Sequence, residues 1–315
     1  MGNDTSIDPV LITGGSGFLG RHLADDLMRH GCRVVGFDTR QQGMVSAEQQ
    51  DAGCCEVIPG DILNIAELTQ AVIEKNVKSI IHAAAVIPPD SEDRPHRSLE
   101  INLLGTCNVL EVARLMKLSR VTFVSSGAVY GTGPEISQEN SPIPLDIGYG
   151  FYGCAKAAGE LIGLNYARNH GLDFVSTRHA AIYGPGGSAP HYLNLLVANA
   201  IQGEKTDIGR GGDHRFEFVY VADAVQGLRT VHTAPKLNYN IYNVGTGRTH
   251  SLFELAAEIK KVIPAAEIAL QPGLLEDLYQ RGPFDISRIR SLGYEPEFSL
   301  ARGLTELIKA PGIRS

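Results

Sequence analysis

The sequence predicts an α/β fold in which a doubly wound parallel sheet carries a smaller C-terminal lobe. Short apolar strands alternate with helix patterns through the first half of the chain, and a glycine-rich turn joins the first strand directly to the first helix. Strands that alternate with helices in this way are typical of a parallel sheet covered on both faces. The composition, with 43% hydrophobic and 20% charged residues among 315, is that of an ordinary globular protein.

The first strand, turn and helix contain the segment 10–20, which reads VLITGGSGFLG. Gly14 can turn the chain tightly, Gly17 lets the backbone approach a pyrophosphate, and Gly20 lets the helix pack close to the strand. The N-terminus of the helix offers backbone N–H groups to an anion. Because a strand precedes the turn, a helix follows it and an acid ends the next strand, we predict a dinucleotide site.

The second strand, 33–38, ends in Asp38. A carboxylate at this place accepts hydrogen bonds from a ribose 2′-hydroxyl and repels a 2′-phosphate, which favours NAD over NADP. Arg40 leaves NADP open, since an arginine could accommodate the phosphate. The alternative for Asp38 is an ordinary turn residue.

Further elements follow in the same alternation. Strands are predicted at 56–58, 79–85, 120–126 and 174–178, and helices over about 98–117, 152–169 and 190–202. A polar loop, 88–95, comes after the strand at 79–85, at the edge of the sheet where ligands bind. This loop borders the substrate or is simply solvated.

Two later segments predict the chemistry. Ser126 ends a strand at the ligand edge of the sheet, and Tyr152 and Lys156 lie one helical turn apart on the same face. A nearby ammonium and an oxidised nicotinamide both lower the pKa of a phenol from its ordinary value of about 10. Such a phenol can accept a proton from an alcohol while a hydride leaves carbon for the cofactor, and Ser126 can hydrogen-bond the same oxygen.

With the glycine-rich turn, Ser126 and the Tyr152–Lys156 pair, the chain resembles the extended branch of the short-chain dehydrogenase/reductase superfamily. This branch is also called the NAD-dependent epimerase/dehydratase family. The resemblance covers nearly the whole chain and includes segments 101–106, 125–126, 129–131, 183–186, 218–223, 242–247 and 285–287. It implies a Rossmann-type fold, with Tyr152 as proton acceptor and donor, Lys156 on the nicotinamide ribose and Ser126 at the substrate oxygen.

The glycine-rich turn and the resemblance together predict the cofactor site. Asp61 and Ile62 are expected to flank the adenine, although Asp61 could instead cap the following helix. His179 is expected to hold the nicotinamide amide through its backbone. The full set of predicted NAD-binding residues is Gly14, Gly17, Phe18, Leu19, Asp38, Asp61, Ile62, Ala83, Ala84, Asn102, Tyr152, Lys156 and His179. The family usually dimerises, which implies a homodimer formed through the helices at about 98–117 and 152–169.

Several positions depart from the family pattern. Dehydratases of the family carry an Asp-Glu pair where this chain has Gly127 and Ala128, so water elimination lacks its proton carriers. Nucleotide-sugar members carry an asparagine where this chain has Ala181, and an arginine where it has Phe216. A diphosphate needs charged donors in place of its water, so these changes predict a substrate other than a nucleoside diphosphate sugar.

The remaining polar residues of the lobe could bind a smaller hydroxylated acid, since arginine side chains suit a carboxylate. The predicted substrate residues are Ser126, His191, Arg215 and Arg281. The last three could also be ordinary helix or surface residues.

The leading hypothesis is an NAD-dependent oxidoreductase acting on a secondary alcohol of a sugar, sugar acid or similar polyol. The alternative is a UDP-hexose 4-epimerase that keeps its NAD tightly bound, and a third reading is an NAD-binding regulator without turnover. The NAD-binding domain is expected to comprise 1–179 and 215–245, and the substrate-binding lobe 180–214 and 246–315.

The net charge, the apolar runs and the cysteine spacing restrict the classes of partner that the sequence predicts. The net charge of -7 argues against a nucleic-acid partner, and no apolar run is long enough to predict a membrane span. The five cysteines have neither metal-site nor disulfide-scaffold spacing, which predicts no metal site and reduced thiols in the cytoplasm.

Overall fold

The computed structural model describes residues 7–40, 55–133, 135–145, 150–187, 191–276 and 278–310. Its strands are β1 (Val10–Thr13), β2 (Val34–Asp38), β3 (Cys55–Pro59), β4 (Ser79–His82), β5 (Arg120–Ser126), β6 (Phe174–His179), β7 (Ala181–Tyr183), β8 (Thr206–Arg210), β9 (Arg215–Phe216), β10 (Phe218–Tyr220), β11 (Ile241–Val244), β12 (His250–Ser251) and β13 (Ile268–Gln271). Its α-helices are α1 (Phe18–Arg29), α2 (Ile65–Glu74), α3 (Asp90–Asp93), α4 (Pro95–Leu99), α5 (Thr106–Leu115), α6 (Gly150–His170), α7 (Tyr192–Gln202), α8 (Val221–Thr233), α9 (Leu252–Val262), α10 (Ser287–Arg290) and α11 (Leu300–Lys309).

Seven parallel strands form the central sheet in the order β3-β2-β1-β4-β5-β6-β11. The chain runs outward in one direction from β1 to β3 and in the other from β4 to β11, which is the doubly wound arrangement. Ligands of such sheets bind at the carboxyl ends of the strands, where the direction reverses. The Rossmann-type fold predicted from the sequence is confirmed.

The apolar residues of β1 alternate between the two faces of the sheet. Val10 and Ile12 pack in one buried cluster with Leu23 of α1 and Leu228 of α8. Leu11 packs in another cluster, which includes residues of α2 and α5. Because successive side chains of a strand point to opposite faces, this alternation places α1 and α8 on one side and α2 and α5 on the other.

Outside the central sheet, the described residues form three two-stranded sheets. They pair β7 with β10 in parallel, β9 with β12 antiparallel, and β8 with β13 in parallel. Leu193 of α7, Leu255 of α9 and Leu304 of α11 belong to the same buried cluster as β1. The division into an NAD-binding domain and a substrate-binding lobe at the stated boundaries stays a prediction.

The strand predicted at 79–85 ends at His82. Beyond it the backbone is drawn toward the end of β1: the N–H of Ala83 donates to the Thr13 carbonyl at 3.2 Å, and that of Ala84 donates to Thr13 Oγ1 at 3.3 Å. The last three residues of the prediction are therefore wrong as strand, because they line the glycine-rich turn.

The helix predicted over 98–117 is not one regular helix. It is divided into α4, a π-helical segment at Glu100–Gly105, and α5. Thr106 Oγ1 donates to the Asn102 carbonyl at 2.7 Å. A hydroxyl that bonds a carbonyl of the preceding turn can bend a helix, and here it accompanies the wider turn.

His82, His179 and His232 are buried as neutral rings. Burial, together with nearby Lys156 for His82 and His179 and nearby Arg120 for His232, lowers the pKa of each from 6.5 to about 3. The His232 ring lies between the hydroxyls of Ser79 and Thr122, 2.9 Å from each.

We expect the free energy of unfolding to fall as the pH drops below 6.5. The imidazoles of the unfolded chain then bind protons, whereas the buried imidazoles of the folded chain stay neutral. At about pH 5 each buried ring lowers stability by about 2 kcal/mol. Urea unfolding at about pH 7 and about pH 5 measures the change. His96, whose side chain is 91% exposed, supplies the control: His96→Gln should leave the pH dependence unaltered. Equal stability at both pH values would contradict the prediction.

Candidate active site

The glycine-rich turn is built as the spacing predicts. Gly14 has φ +70, and a Cβ there would lie 2.8 Å from the backbone of Ala84. A Cβ on Gly20 would lie 2.3 Å from the Gly14 carbonyl oxygen, so α1 crosses the turn at a distance only glycine allows. Gly17 is the N-cap residue of α1, and no side chain caps the helix there. The backbone N–H groups of Phe18 and Leu19 are therefore available to an anion.

Asp38 joins the end of β2 to this turn. Its buried carboxylate accepts the N–H of Ser16 at 3.0 Å on Oδ2 and the N–H of Arg40 at 3.0 Å on Oδ1. The exposed Arg40 guanidinium lies 3.8 Å from Oδ1. An ionised carboxylate has about four acceptor positions, so Asp38 can still accept hydroxyls from a ribose.

Asp61 and Ile62 follow β3 at the same edge of the sheet. Asp61 Oδ1 accepts the N–H of Leu63 at 2.9 Å. Asn64 caps α2 by accepting N–H groups of its first turn, so the alternative that Asp61 caps this helix is wrong. Ile62 is buried against Gly105, where a Cβ would lie 2.4 Å from Ile62 Cδ1. Adenine contact by Asp61 and Ile62 stays a prediction.

Asn102 holds the backbone that follows β4. Its Oδ1 accepts the N–H of Val86 at 2.7 Å, and its Nδ2 donates to the Val86 carbonyl at 2.8 Å. These bonds position the segment that begins with Ala83 and Ala84. Direct contact of Asn102 with NAD stays a prediction.

Ser126 and Tyr152 meet at the carboxyl edge of the sheet. Ser126 is the last residue of β5, and its Oγ accepts the N–H of Ala128 at 3.1 Å. Tyr152 lies in the first turn of α6. Burial raises the pKa of the Tyr152 phenol above its ordinary value, and its hydrogen bond with the Ser126 side chain acts in the opposite direction.

Lys156 provides a positive charge close to Tyr152. Its Nζ donates to the Val124 carbonyl at 2.7 Å and lies 5.8 Å from the centre of the Tyr152 ring. Burial lowers the pKa of Lys156 to about 8, while Glu160 one turn later favours the charged form. The side chain is therefore mostly an ammonium at neutral pH, and a cation so close favours the phenolate form of Tyr152.

The start of α6 is held by Glu92, a residue of the loop predicted at 88–95. Its Oε2 accepts the N–H of Phe151 at 3.0 Å, and its Oε1 accepts the N–H of Tyr152 at 3.2 Å. Gly150, with φ +52, leaves no room for a Cβ beside this carboxylate. Sequence reasoning missed Glu92, because its partners lie about 60 residues further along the chain.

We expect Glu92→Ala to lower kcat about threefold to tenfold with KM little changed, because removing a helix cap weakens the turn that positions Tyr152 by about 1 kcal/mol. Steady-state kinetics measures kcat and KM, and a melting curve measures the loss of stability. Glu92→Gln, which keeps one acceptor oxygen, should recover part of the loss, and Asp93→Ala should change neither. A fall in KM alone, with kcat intact, would contradict this role.

Arg281 lies beside the end of β5, which carries Ser126. Its Nη1 donates to the carbonyl of Gly127 at 2.7 Å, one residue beyond Ser126. A Cβ on Gly127 would lie 2.5 Å from the Phe284 ring and 3.1 Å from Arg281 Nη2. The space into which a side chain at 127 would point is therefore filled.

Glu217 orders the segment that carries Arg281. Its buried carboxylate accepts the N–H of Thr246 at 2.7 Å, of Gly247 at 2.9 Å and of Phe284 at 2.7 Å. Burial raises its pKa above the ordinary value, and these backbone N–H groups act against that rise. Sequence reasoning did not single out Glu217; the only signal was its place between Phe216 and the segment 218–223.

The two other predicted substrate residues make contacts within the protein. Arg215 is exposed, and its guanidinium donates to Thr249 and Glu254. His191 caps α7 through Nδ1 and donates from Nε2 to the Ile182 carbonyl at 3.2 Å. The structure does not bring either side chain to Ser126, and substrate binding by them stays a prediction.

The sequence predicted neither a metal site nor a membrane span. Among the residues that the structure describes, no three His, Cys, Asp or Glu side chains are grouped so as to hold a metal ion. No helix within the described ranges is long and apolar enough to cross a bilayer.

The glycine-rich turn, Ser126, Tyr152 and Lys156 lie within the part of the chain that comparisons to known proteins match. The model of the NAD dependent epimerase/dehydratase family matches residues 10–245. The chain belongs to this family. Like its relatives, this family member is an NAD-dependent enzyme, so the resemblance, the cofactor and the enzyme class predicted from the sequence are all confirmed.

Three similar proteins illustrate the relationship. The UDP-glucose 4-epimerase of Mycolicibacterium smegmatis is 35% identical, over 95% of this chain and 97% of its own. The UDP-glucose 4-epimerase of Thermus thermophilus, solved in complex with NAD, superposes with a TM-score of 0.83 at 25% identity, over 95% of this chain and 97% of that one. The UDP-glucose 4-epimerase of Thermotoga maritima, solved with UDP-glucose, has a TM-score of 0.84 at 25% identity and the same two coverages.

Proposed function

We propose that this family member is a 4-epimerase of a UDP-hexose, which was the alternative reading of the sequence. The observation that carries the proposal is the catalytic group of Ser126, Tyr152 and Lys156 without a carboxylate at 127 or 128. Inverting a carbinol carbon needs one proton acceptor and donor beside a hydride carrier, whereas eliminating water needs a further acid and base. The UDP-glucose 4-epimerases among its relatives support this choice.

The residues of the site then have definite roles. Tyr152 accepts the proton of the substrate 4-hydroxyl, Ser126 hydrogen-bonds the same oxygen, and Lys156 favours the phenolate. NAD, held by the glycine-rich turn and Asp38, supplies a hydride acceptor and donor when bound. After the sugar presents its other face, Tyr152 returns the proton to the oxygen as the same carbon takes the hydride back from bound NAD, so that no net oxidation results.

Net oxidation of a smaller sugar or sugar acid is the second candidate, and Phe216 favours it. The Phe216 ring packs 4.7 Å from the His214 ring, 5.9 Å from Tyr192 and 5.7 Å from Phe218, measured between centroids. An aromatic cluster therefore occupies the position at which nucleotide-sugar members carry an arginine. Arg215, the neighbouring guanidinium, is engaged by Thr249 and Glu254.

One experiment separates the two candidates. The protein is incubated with NAD and, in parallel, with UDP-hexoses, sugars and sugar acids, while NADH absorbance and the products are followed. Conversion of a UDP-hexose to its 4-epimer without net NADH supports the proposal. NADH accumulation with one small substrate, and no epimer from any UDP-hexose, would replace it by the second candidate.

We also propose that the protein is a homodimer formed through α5 and α6. Leu115 of α5 and Leu161 of α6 are more than half exposed. Light scattering should give twice the chain mass for the wild type and a monomer for Leu115→Lys combined with Leu161→Lys. Ile73→Lys, on the equally exposed surface of α2, should stay dimeric. A wild-type monomer would refute this assembly. The cytoplasmic location stays a prediction.

A further inference from the structure

The side chain of His179 lies beside the catalytic serine. His179 ends β6 and is paired with Ser126 across the sheet. Side chains of laterally paired residues lie on the same face, so the imidazole adjoins the Ser126 side chain at the ligand edge. The residue is only 4% exposed. The sequence predicted a role for its backbone alone.

The hydrogen bonds of Thr177 determine which ring nitrogen of His179 carries the proton. Thr177 Oγ1 donates to the Phe123 carbonyl at 3.4 Å and lies 3.1 Å from His179 Nε2. A hydroxyl has one hydrogen; we assign it to the carbonyl, which makes Nε2 the donor to Thr177. Burial, with Lys156 adding to it, lowers the pKa of His179 to about 3, and the ring is neutral. Nδ1 is therefore a bare acceptor.

This acceptor has no donor among the residues that the structure describes. A buried acceptor without a partner costs about 1–3 kcal/mol, and in folded proteins such atoms are nearly always satisfied. A bound molecule that brings an N–H or O–H group to this edge of the sheet would satisfy it.

The face of the sheet indicates which molecule that is. Val124, two residues before Ser126, shares its face and packs in the cluster that contains Leu23 of α1, with Leu19 and Ala83 packed against it. His179 therefore faces the side on which the glycine-rich turn lies. The adenine end of NAD is expected near Asp38 and Asp61, at the opposite end of this edge. The reactive end carries one group with N–H donors, the carboxamide.

We infer that His179 Nδ1 accepts a hydrogen bond from the carboxamide N–H of bound NAD and so sets the rotation of the nicotinamide ring. This role depends only on the NAD dependence of the chain and not on which sugar it converts. It therefore stands or falls separately from the proposed epimerase activity.

The test is a binding competition between NAD and 3-acetylpyridine adenine dinucleotide, in which a methyl group replaces the carboxamide nitrogen. The wild type should prefer NAD by about tenfold, the effect of one hydrogen bond to a buried acceptor. His179→Leu should lower this preference to near one. His179→Asn, whose Oδ1 takes the place of Nδ1, should retain most of it. The affinity for ADP-ribose, which lacks the ring, should be the same in all three proteins.

Four outcomes would overturn the inference. The first is a wild type that binds the two dinucleotides equally, a measurement that needs no variant to fold. The second is an NAD preference that survives in His179→Leu. The third is an equal loss of affinity for NAD and ADP-ribose, which would mean a structural role. The fourth is a raised KM for the sugar with the NAD preference unchanged, which would assign Nδ1 to the substrate.

Discussion

Tyr152→Phe is expected to lower kcat by a factor of about 10²–10⁴, the usual contribution of a general acid–base group. The substitution removes only the phenolic oxygen that interacts with Ser126. The ring, the cap from Glu92 and the position of Lys156 remain, so NAD affinity and the melting temperature should change little. Kinetics of product formation, NAD binding and a melting curve on the same preparation measure the three quantities.

Tyr130→Phe is the matched control. Tyr130 follows the same strand end, and its hydroxyl donates to Asn243 Oδ1 at 2.7 Å in the core. Burial, the largest influence on this hydroxyl, raises the pKa of Tyr130 to about 12, so it is no proton acceptor near neutral pH. This variant should lose about 1 kcal/mol of stability and keep its turnover. If Tyr152→Phe kept turnover within tenfold, another group would be the base.

Glu160→Ala is expected to lower the free energy of unfolding by about 3–5 kcal/mol, because it leaves a buried guanidinium without its counter-ion. Arg178 Nη2 lies 2.6 Å from Glu160 Oε2, and the two side chains are 2% and 1% exposed. Ser176 also donates to Glu160, at 3.0 Å. The pair connects α6, which carries Tyr152 and Lys156, to β6, which ends at His179. Urea unfolding measures the loss.

Glu295→Ala is the control for this pair. Arg290 and Glu295 form an ion pair at 3.2 Å, with side chains 50% and 70% exposed. Exposed pairs contribute at most about 1 kcal/mol, since water screens them. If the two variants lost the same small amount of stability, the Arg178–Glu160 pair would not be desolvated as the structure describes.

Local patterns located the elements well where the chain is regular. The strand predicted at 120–126 is β5, and the helix predicted over 152–169 is α6 with one residue more at its end and two at its start. Both are long apolar or periodic segments, for which local preference and packing agree. The predictions over 79–85 and 98–117 were partly wrong, because contacts of Thr13 and Asn102 outweighed local preference there.

The substrate prediction shows a different limit. Phe216 and Ala181 argued against a nucleoside diphosphate sugar, yet the similar proteins support the epimerase alternative better. Absent donors at two positions do not show which other groups reach the substrate. Arg281, for example, reaches Gly127 from a segment that Glu217 holds at Phe284. Backbone hydrogen bonds from Gly133 and Ser137 also hold this segment.

The sequence by itself determined the fold class, the family and NAD as the cofactor, and it predicted the NAD-binding and catalytic residues, because the motifs behind these predictions are short segments of the chain. A turn of three spaced glycines and a Tyr-Lys pair one helical turn apart have the same local geometry wherever they occur. The tertiary structure decided which residues cap the catalytic helix, hold the turn and orient the side chains of the site. Glu92 accepts the N–H of Tyr152, Asn102 bonds the backbone of Val86, and Thr177 bonds Nε2 of His179. Buried polar groups must find partners wherever packing brings them, and neither composition nor spacing reveals that arrangement in advance.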